Sequence, residues 1–217
     1  MQQYDLIVFD WDGTLIDSTG LIASCLQQAC RDLALPVPAP EQARAVIGLG
    51  LNEAMAQLLP ELPTSEHGHV AERYRAHFFA HDHQPLLFAG VPQLFAALHA
   101  SGYRLAVATG KSRRGLDRDL ELTGMGTWFH ASRCADESFS KPHPAMLLEL
   151  MDSMGANPER TLMVGDTTHD LQMAANAKVG AVAVNHGTQP AESLLALAPL
   201  ACLSSIAELG KWLKNSI

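Results

Sequence analysis

Asp5-Leu6-Ile7-Val8-Phe9 runs directly into Asp10-Trp11-Asp12-Gly13-Thr14. The first half is short, apolar and partly β-branched, so it reads as a buried strand, and the second half places carboxylates at that strand's C-terminal end. Three later stretches repeat the pattern: residues 104–108, ending at Thr109-Gly110-Lys111; residues 161–164, ending at Gly165-Asp166; and residues 180–184, ending at Asn185. Segments 113–123, 143–154, 168–178 and 190–197 have the composition of helices between those strands. Gly90-Val91-Pro92 opens another helix that runs to Ser101 and stops at Gly102, and 204–214 reads as a closing helix. Strands alternating with helices predict an α/β fold: a parallel sheet covered on both faces.

The first crossover is too long to be a single helix. From Asp17 to about Pro85 there is no convincing strand, and Leu21, Ile22, Leu26 and Ala29 fall on one side of a first helix. Prolines at Leu35-Pro36-Val37-Pro38, Leu59-Pro60 and Leu62-Pro63 break the stretch into three or four helices, because proline lacks an amide donor and restrains its predecessor. We therefore expect a catalytic core formed by residues 1–16 and 86–217, with a helical cap inserted at 17–85.

Composition narrows the function classes. The 217 residues include 15 Lys or Arg against 23 Asp or Glu, a net charge of −8 that argues against a nucleic-acid partner. With 47% hydrophobic and 18% charged residues the chain can bury a sizeable core. The four cysteines have no CxxC spacing, which fits a reducing cytoplasm, and no signal peptide or membrane-length apolar run is read. His77 and His81 have helical spacing without further ligands for a closed metal site, so solvent exposure is expected for them.

The strand ends carry the chemistry. A carboxylate at Asp10 can attack an electrophile, while Asp12, redirected by the turn at Gly13, can deliver and remove a proton. The bland alternative is a polar turn with a capping aspartate. Asp166 and Asp170 in Gly165-Asp166-Thr167-Thr168-His169-Asp170 can approach one cation, and hard oxygen ligands of this kind suit Mg2+. Asp170 also reads as a simple helix cap. The Thr109 hydroxyl and the Gly110 amide can bind phosphoryl oxygens near a helix start, and Lys141 can hold an aspartate and a phosphate together against their repulsion.

Together, the strand before Asp-Trp-Asp-Gly-Thr, the strand before Ala-Thr-Gly-Lys, the Ser-Lys-Pro-His-Pro segment and the Gly-Asp-Thr-Thr-His-Asp segment resemble the four ordered motifs of the haloacid dehalogenase-like hydrolase superfamily. The insertion after the first motif is similar to the helical C1 cap of the phosphoglycolate-phosphatase-like subgroup. The resemblance implies a Rossmann-like core, Mg2+ as cofactor, and transfer of a phosphoryl group from a small-molecule monoester to water. It implies that Asp10 is the nucleophile, Asp12 the general acid and base, Thr109 the phosphate-binding threonine, and Lys141 the lysine that orients and compensates the nucleophile. It also implies that Asp166 is the principal metal carboxylate, beside Asp10, the backbone carbonyl of Asp12, and Asp170 completing or supporting the shell.

Around these residues the reading is open. Trp11 stands where the family often has an aliphatic side chain and is expected to pack beside the sheet. Asp17 is read as a hinge or helix-start group. Arg44 precedes the glycine-containing stretch 45–52 and reads either as a contact to a substrate anion or as a solvated side chain. Lys111, Arg113 and Arg114 form a basic patch that attracts anions or simply faces solvent. Phosphoglycolate is the leading substrate expectation, with a sugar-phosphate phosphatase, a phosphomutase, or a catalytically silent phosphate-binding module as the other readings.

Overall fold

A computed structural model describes residues 3–80 and 84–215. Six parallel strands form its centre: β1 (Leu6–Phe9), β2 (Arg104–Thr109), β3 (Ala131–Cys134), β4 (Thr161–Gly165), β5 (Gly180–Val184) and β6 (Ala201–Leu203). The strand order is β3-β2-β1-β4-β5-β6, the doubly wound Rossmann-like arrangement. β1 lies between β2 and β4, with Phe9 opposite Val107 on one side and Val164 on the other. The C-terminal ends of these three strands therefore meet where the strand order reverses, the position at which such sheets open a crevice for ligands.

Four helices separate β1 from the rest of the core: α1 (Thr19–Asp32), α2 (Pro40–Ala45), α3 (Leu51–Leu58) and α4 (Thr64–Ala80). Their inward side chains, among them Ile22, Leu26, Val46, Met55 and Phe78, form an apolar cluster of their own, apart from the clusters on the two faces of the sheet. The remaining helices are α5 (Val91–Ala100), α6 (Arg113–Thr123), α7 (Ala145–Met154), α8 (Thr168–Asn176), α9 (Ala191–Leu195) and α10 (Ile206–Asn215). Pro144 occupies the N-cap of α7, so this helix starts two residues later than the composition of 143–154 predicts.

Two strands carry no sequence signal. β3 is an edge strand of Ala-Ser-Arg-Cys whose first three residues are only half-buried, and β6 is a three-residue edge strand. Both lack the continuous apolar run that marks strands buried on two faces. Among the described residues no helix is long and apolar enough to cross a membrane. His77 pairs with Asp32 at 2.9 Å, whereas His81 lies outside the described residues.

Candidate active site

The sheet brings the four motif loops together. Asp10 leaves β1 with its amide donating to the Val164 carbonyl at 2.9 Å, which fixes it beside the end of β4. Its carboxylate is buried, with Oδ1 2.7 Å from Lys141 Nζ. The same ammonium donates to Asp170 Oδ1 at 2.6 Å, and the Lys141 side chain has no exposed surface. Gly13 takes a left-handed φ of +85°, and its backbone packs so closely on Asp166 that a Cβ has no room. Past this turn, Thr14 Oγ1 donates to Asp166 Oδ1 at 2.8 Å and the Thr188 amide donates to Asp166 Oδ2 at 2.7 Å.

Asp170 fills the cap role that its sequence position allowed and also faces the site. Oδ2 accepts from the Thr167 amide at 3.1 Å and hydroxyl at 2.7 Å, closing the capping box of α8, while Oδ1 faces Lys141. One helix cap thus aims a carboxylate oxygen into the site.

Asp10, Asp166 and Asp170 each present an oxygen within 4.8 Å of the others, all from buried residues. Burial first, then the neighbouring Asp170, push the Asp10 carboxyl well above its ordinary value; Lys141 opposes this and Asp166 adds to it. Asp166 is pushed up to about 6 by burial and by Asp170, against hydrogen bonds from Thr188 and Thr14. Three carboxylates face one lysine here, and Asp10 Oδ2 is buried with no hydrogen-bond partner among the described residues. This hard, oxygen-only and undercompensated donor set fits a divalent cation such as Mg2+.

The Asp12 carboxylate lies outside that trio. Its Oδ1 accepts from Ser18 Oγ at 2.6 Å and meets Lys111 Nζ at 3.0 Å. Lys111 also reaches Asp119 Oδ2 at 3.3 Å, and that same oxygen accepts from Trp11 Nε1 at 3.0 Å. Burial works against the charge on Lys111, and Asp12 and Asp119 more than offset it, so its pKa rises. The basic patch read after Thr109 therefore divides. Lys111 turns inward with a side chain 7% exposed, Arg113 pairs with Glu137 at 2.7 Å, and Arg114 is exposed over the Phe79 ring.

A cleft of about 190 Å3 lies between these loops and the α1–α4 segment. Asp10, Asp12, Thr109 and Gly110 line its floor; Ile22, Leu26, Ile47, Tyr74 and Phe78 line the opposite wall. Thr109 Oγ1 accepts from the Lys111 amide at 3.1 Å, which leaves the hydroxyl proton available to a ligand. The segment 48–50 is seated on the core: Gly110 packs against the Gly48 and Leu49 carbonyls, and the Gly50 amide donates to Ser140 Oγ at 2.7 Å. Arg44 is exposed in the last turn of α2 and is not among the residues lining the cleft; Lys111 and Arg75 are the lining cations. Trp11 is fully buried, edge-on to Phe129, as expected of a residue packed beside the sheet.

Sequence reasoning read Lys111 only as part of a basic patch and Ser18 only as a polar residue leading into the cap, and it missed Asp119. A signal for Asp119 exists in the helix pattern, because it falls three residues after the buried Leu116 on the inward face of α6. A carboxylate on that face needs a partner. The sequence does not say that the partners are Lys111 and Trp11.

A model of the haloacid dehalogenase-like hydrolase family matches residues 7–184. The chain is 37% identical to the protein named "Probable phosphatase IndB" of Dickeya dadantii, over 94% of this chain and 91% of the relative. It is 30% identical to a phosphoglycolate phosphatase of Vibrio vulnificus, over 96% and 95% of the two chains. The crystal structure of a hydrolase from Pseudomonas syringae superposes with a TM-score of 0.89 at 22% identity, covering 98% of each chain, and shares the fold. The sheet order, the four motifs and these matches agree: the chain belongs to the haloacid dehalogenase-like hydrolase family, in its phosphoglycolate-phosphatase-like branch, and is an enzyme.

Proposed function

We propose that the protein is a magnesium-dependent phosphatase that hydrolyses a small-molecule phosphate monoester through an aspartyl phosphate on Asp10. The observation that carries this reading is the buried contact of Asp10 with Lys141, beside the carboxylates of Asp166 and Asp170. Residues 1–16 and 86–217 act as the catalytic core, and 17–85 as the cap that closes over it.

Asp10 Oδ attacks phosphorus and the bond to the leaving oxygen breaks. Asp12 gives its proton to that oxygen, so the product departs as an alcohol. Water then attacks the phosphoryl group on Asp10, Asp12 takes the water's proton, and the acyl–phosphate bond breaks to regenerate the Asp10 carboxylate and release inorganic phosphate. Lys141 lowers the cost of bringing an anionic ester to an anionic nucleophile, and the Thr109 hydroxyl with the Gly110 amide holds the phosphoryl oxygens. Asp10, Asp166, Asp170 and the main chain at Asp12 would hold Mg2+, which supplies positive charge to stabilise the phosphoryl group in both steps. Ser18 and Lys111 hold Asp12 facing the cleft.

Phosphoglycolate enters the substrate panel as the compound in the name of the Vibrio relative, and the cleft lining argues against its carboxylate. The free cysteines Cys25, Cys30, Cys134 and Cys202 support a reducing compartment, and we place the protein in the cytoplasm. The test is phosphate release from a panel of 2-phosphoglycolate, sugar phosphates, nucleoside monophosphates and aryl phosphates. We expect turnover with Mg2+, none with EDTA, and none from Asp10→Asn. Metal-independent turnover, or turnover retained by Asp10→Asn, overturns the reading.

A further inference from the structure

Building on the phosphatase reading, we propose that Asp119, by pairing with Lys111, makes the cleft selective for monoesters of neutral alcohols with an apolar or ring-shaped body, and against leaving groups that carry a carboxylate. The wall facing Asp10 and Asp12 is built from Ile22, Leu26, Ile47, Phe78 and Phe79, with Tyr74 among them. Such side chains reward apolar surface and ring faces, and none of them brings a positive charge to a carboxylate that must give up its water.

A carboxylate-bearing leaving group needs a cation inside the cleft, and of the two that line it Lys111 is committed to other carboxylates while Arg75 is exposed to water. Lys111 Nζ lies 3.0 Å from Asp12 and 3.3 Å from Asp119, with the Phe78 ring centroid 4.7 Å away. Asp119 is itself held by the Trp11 indole N–H, so the pairing does not rest on a mobile side chain. Arg75, the other lining cation, is exposed. Against these two stand the exposed Glu53 and Asp136 in the lining, so the part of the cleft beyond the phosphoryl site carries no net positive charge for a second anion on the substrate. Asp119 lies outside the cleft lining and acts only through Lys111, which makes it a positioning residue for specificity.

The experiment compares kcat/KM within matched pairs, with Mg2+ present. 2-Hydroxyethyl phosphate and 2-phosphoglycolate differ in a hydroxymethyl for a carboxylate; phenyl phosphate and 4-carboxyphenyl phosphate repeat the contrast on a ring. The expected result is a preference for the neutral member of at least about tenfold in both pairs, with phenyl phosphate the best of the four. In Asp119→Asn the indole partner is kept and Lys111 is partly released, so the preference should shrink several-fold, mainly through a lower KM for the carboxylated esters. Equal or better use of the carboxylated esters by the unmodified enzyme overturns the proposal, whatever the variant does. An unchanged preference in folded Asp119→Asn also overturns it, by removing Asp119 from the cause. Turnover of none of the four, with turnover of another ester of the wider panel, overturns the proposal alone; turnover of no ester of that panel overturns the phosphatase reading and the proposal with it.

Discussion

Lys141 and Lys111 serve the same site, each between two carboxylates, yet their surroundings differ. Lys141 meets Asp10 and Asp170 with Asp166 beside them, so three carboxylates surround one ammonium and the deficit is two positive charges. Lys111 meets Asp12 and Asp119, where the neutral donors Ser18 and Trp11 take up much of the remaining demand. The first arrangement calls for a divalent cation. The second is short by one positive charge and leaves Asp119 Oδ1 without a hydrogen-bond partner among the described residues, and what it provides is the orientation of Asp12 and the withdrawal of a cation from the cleft. Two lysines of similar burial therefore divide the work between charge compensation and geometry.

The largest effect should come from Asp10→Asn. Activity should fall by roughly 10^4-fold or more, as for removal of a nucleophile. The melting temperature of the metal-free protein should stay the same or rise, because one of three mutually repelling buried carboxylates is gone. Lys141→Met should abolish turnover and also destabilise the fold by about 3–5 kcal/mol in urea unfolding, since it leaves the carboxylates uncompensated. Added Mg2+ should restore part of that loss.

Lys111→Met sharpens the contrast. It should lower kcat by roughly 10- to 100-fold through a misplaced Asp12, while the Mg2+ affinity read by calorimetry stays close to that of the unmodified enzyme. A change in Mg2+ affinity as large as that of Lys141→Met would erase the distinction between the two lysines.

The same contrast has a pH signature. Asp10 and Asp166 are raised above the ordinary aspartate value of 3.8, Asp166 to about 6. The metal-free native state therefore keeps protons that the unfolded chain has released. The stability that Asp166 contributes is fully present below 3.8 and is lost as pH rises through about 6, and Asp10 acts in the same direction. Asp5, Glu137 and Glu208 are shifted the other way and act below their ordinary values, the highest of which is 4.5, while His186, lowered from 6.5 by burial, adds a contribution of opposite sign just below 6.5; a fall in stability between about 4.5 and 6 therefore reads the raised carboxyls against His186. Stabilisation by Mg2+, measured as the rise in melting temperature, should grow across that interval, because the ligands must be deprotonated. The smallest effect on specificity belongs to Trp11→Phe, which deletes the N–H donor together with the five-membered ring of a fully buried indole. It should cost about 1–3 kcal/mol of stability and weaken the preference for neutral esters less than Asp119→Asn.

How far the sequence could be read follows the same division. β1, β2, β4 and β5 were legible because each is an apolar run that ends in a polar loop, and the loops carry Asp10, Thr109 and Asp166. Lys141 and Asp170 were legible only as members of an ordered set of motifs, since a lysine beside a proline and an aspartate in a helix cap are each ordinary. β3 and β6 were hidden by their brevity and their edge positions. The Lys111–Asp119–Trp11 chain was hidden for another reason: it joins three elements through side chains, and spacing along one helix reveals that Asp119 is buried without revealing what it meets. Arg44 was drawn toward the site by its nearness in sequence to the 48–50 loop, yet the turn after α2 leaves it on the surface.

The account rests most heavily on Asp10 carrying the phosphoryl group. Asp12→Asn should slow the second step enough for the intermediate to accumulate. The enzyme would be mixed with phenyl phosphate and Mg2+, quenched in acid, digested and analysed by mass spectrometry. The account predicts one added phosphoryl group on the peptide containing Asp10 and none when Asp10→Asn is combined with Asp12→Asn. A phosphoryl group on another residue, or steady turnover of the unmodified enzyme with no phosphorylated peptide in either form, would contradict it.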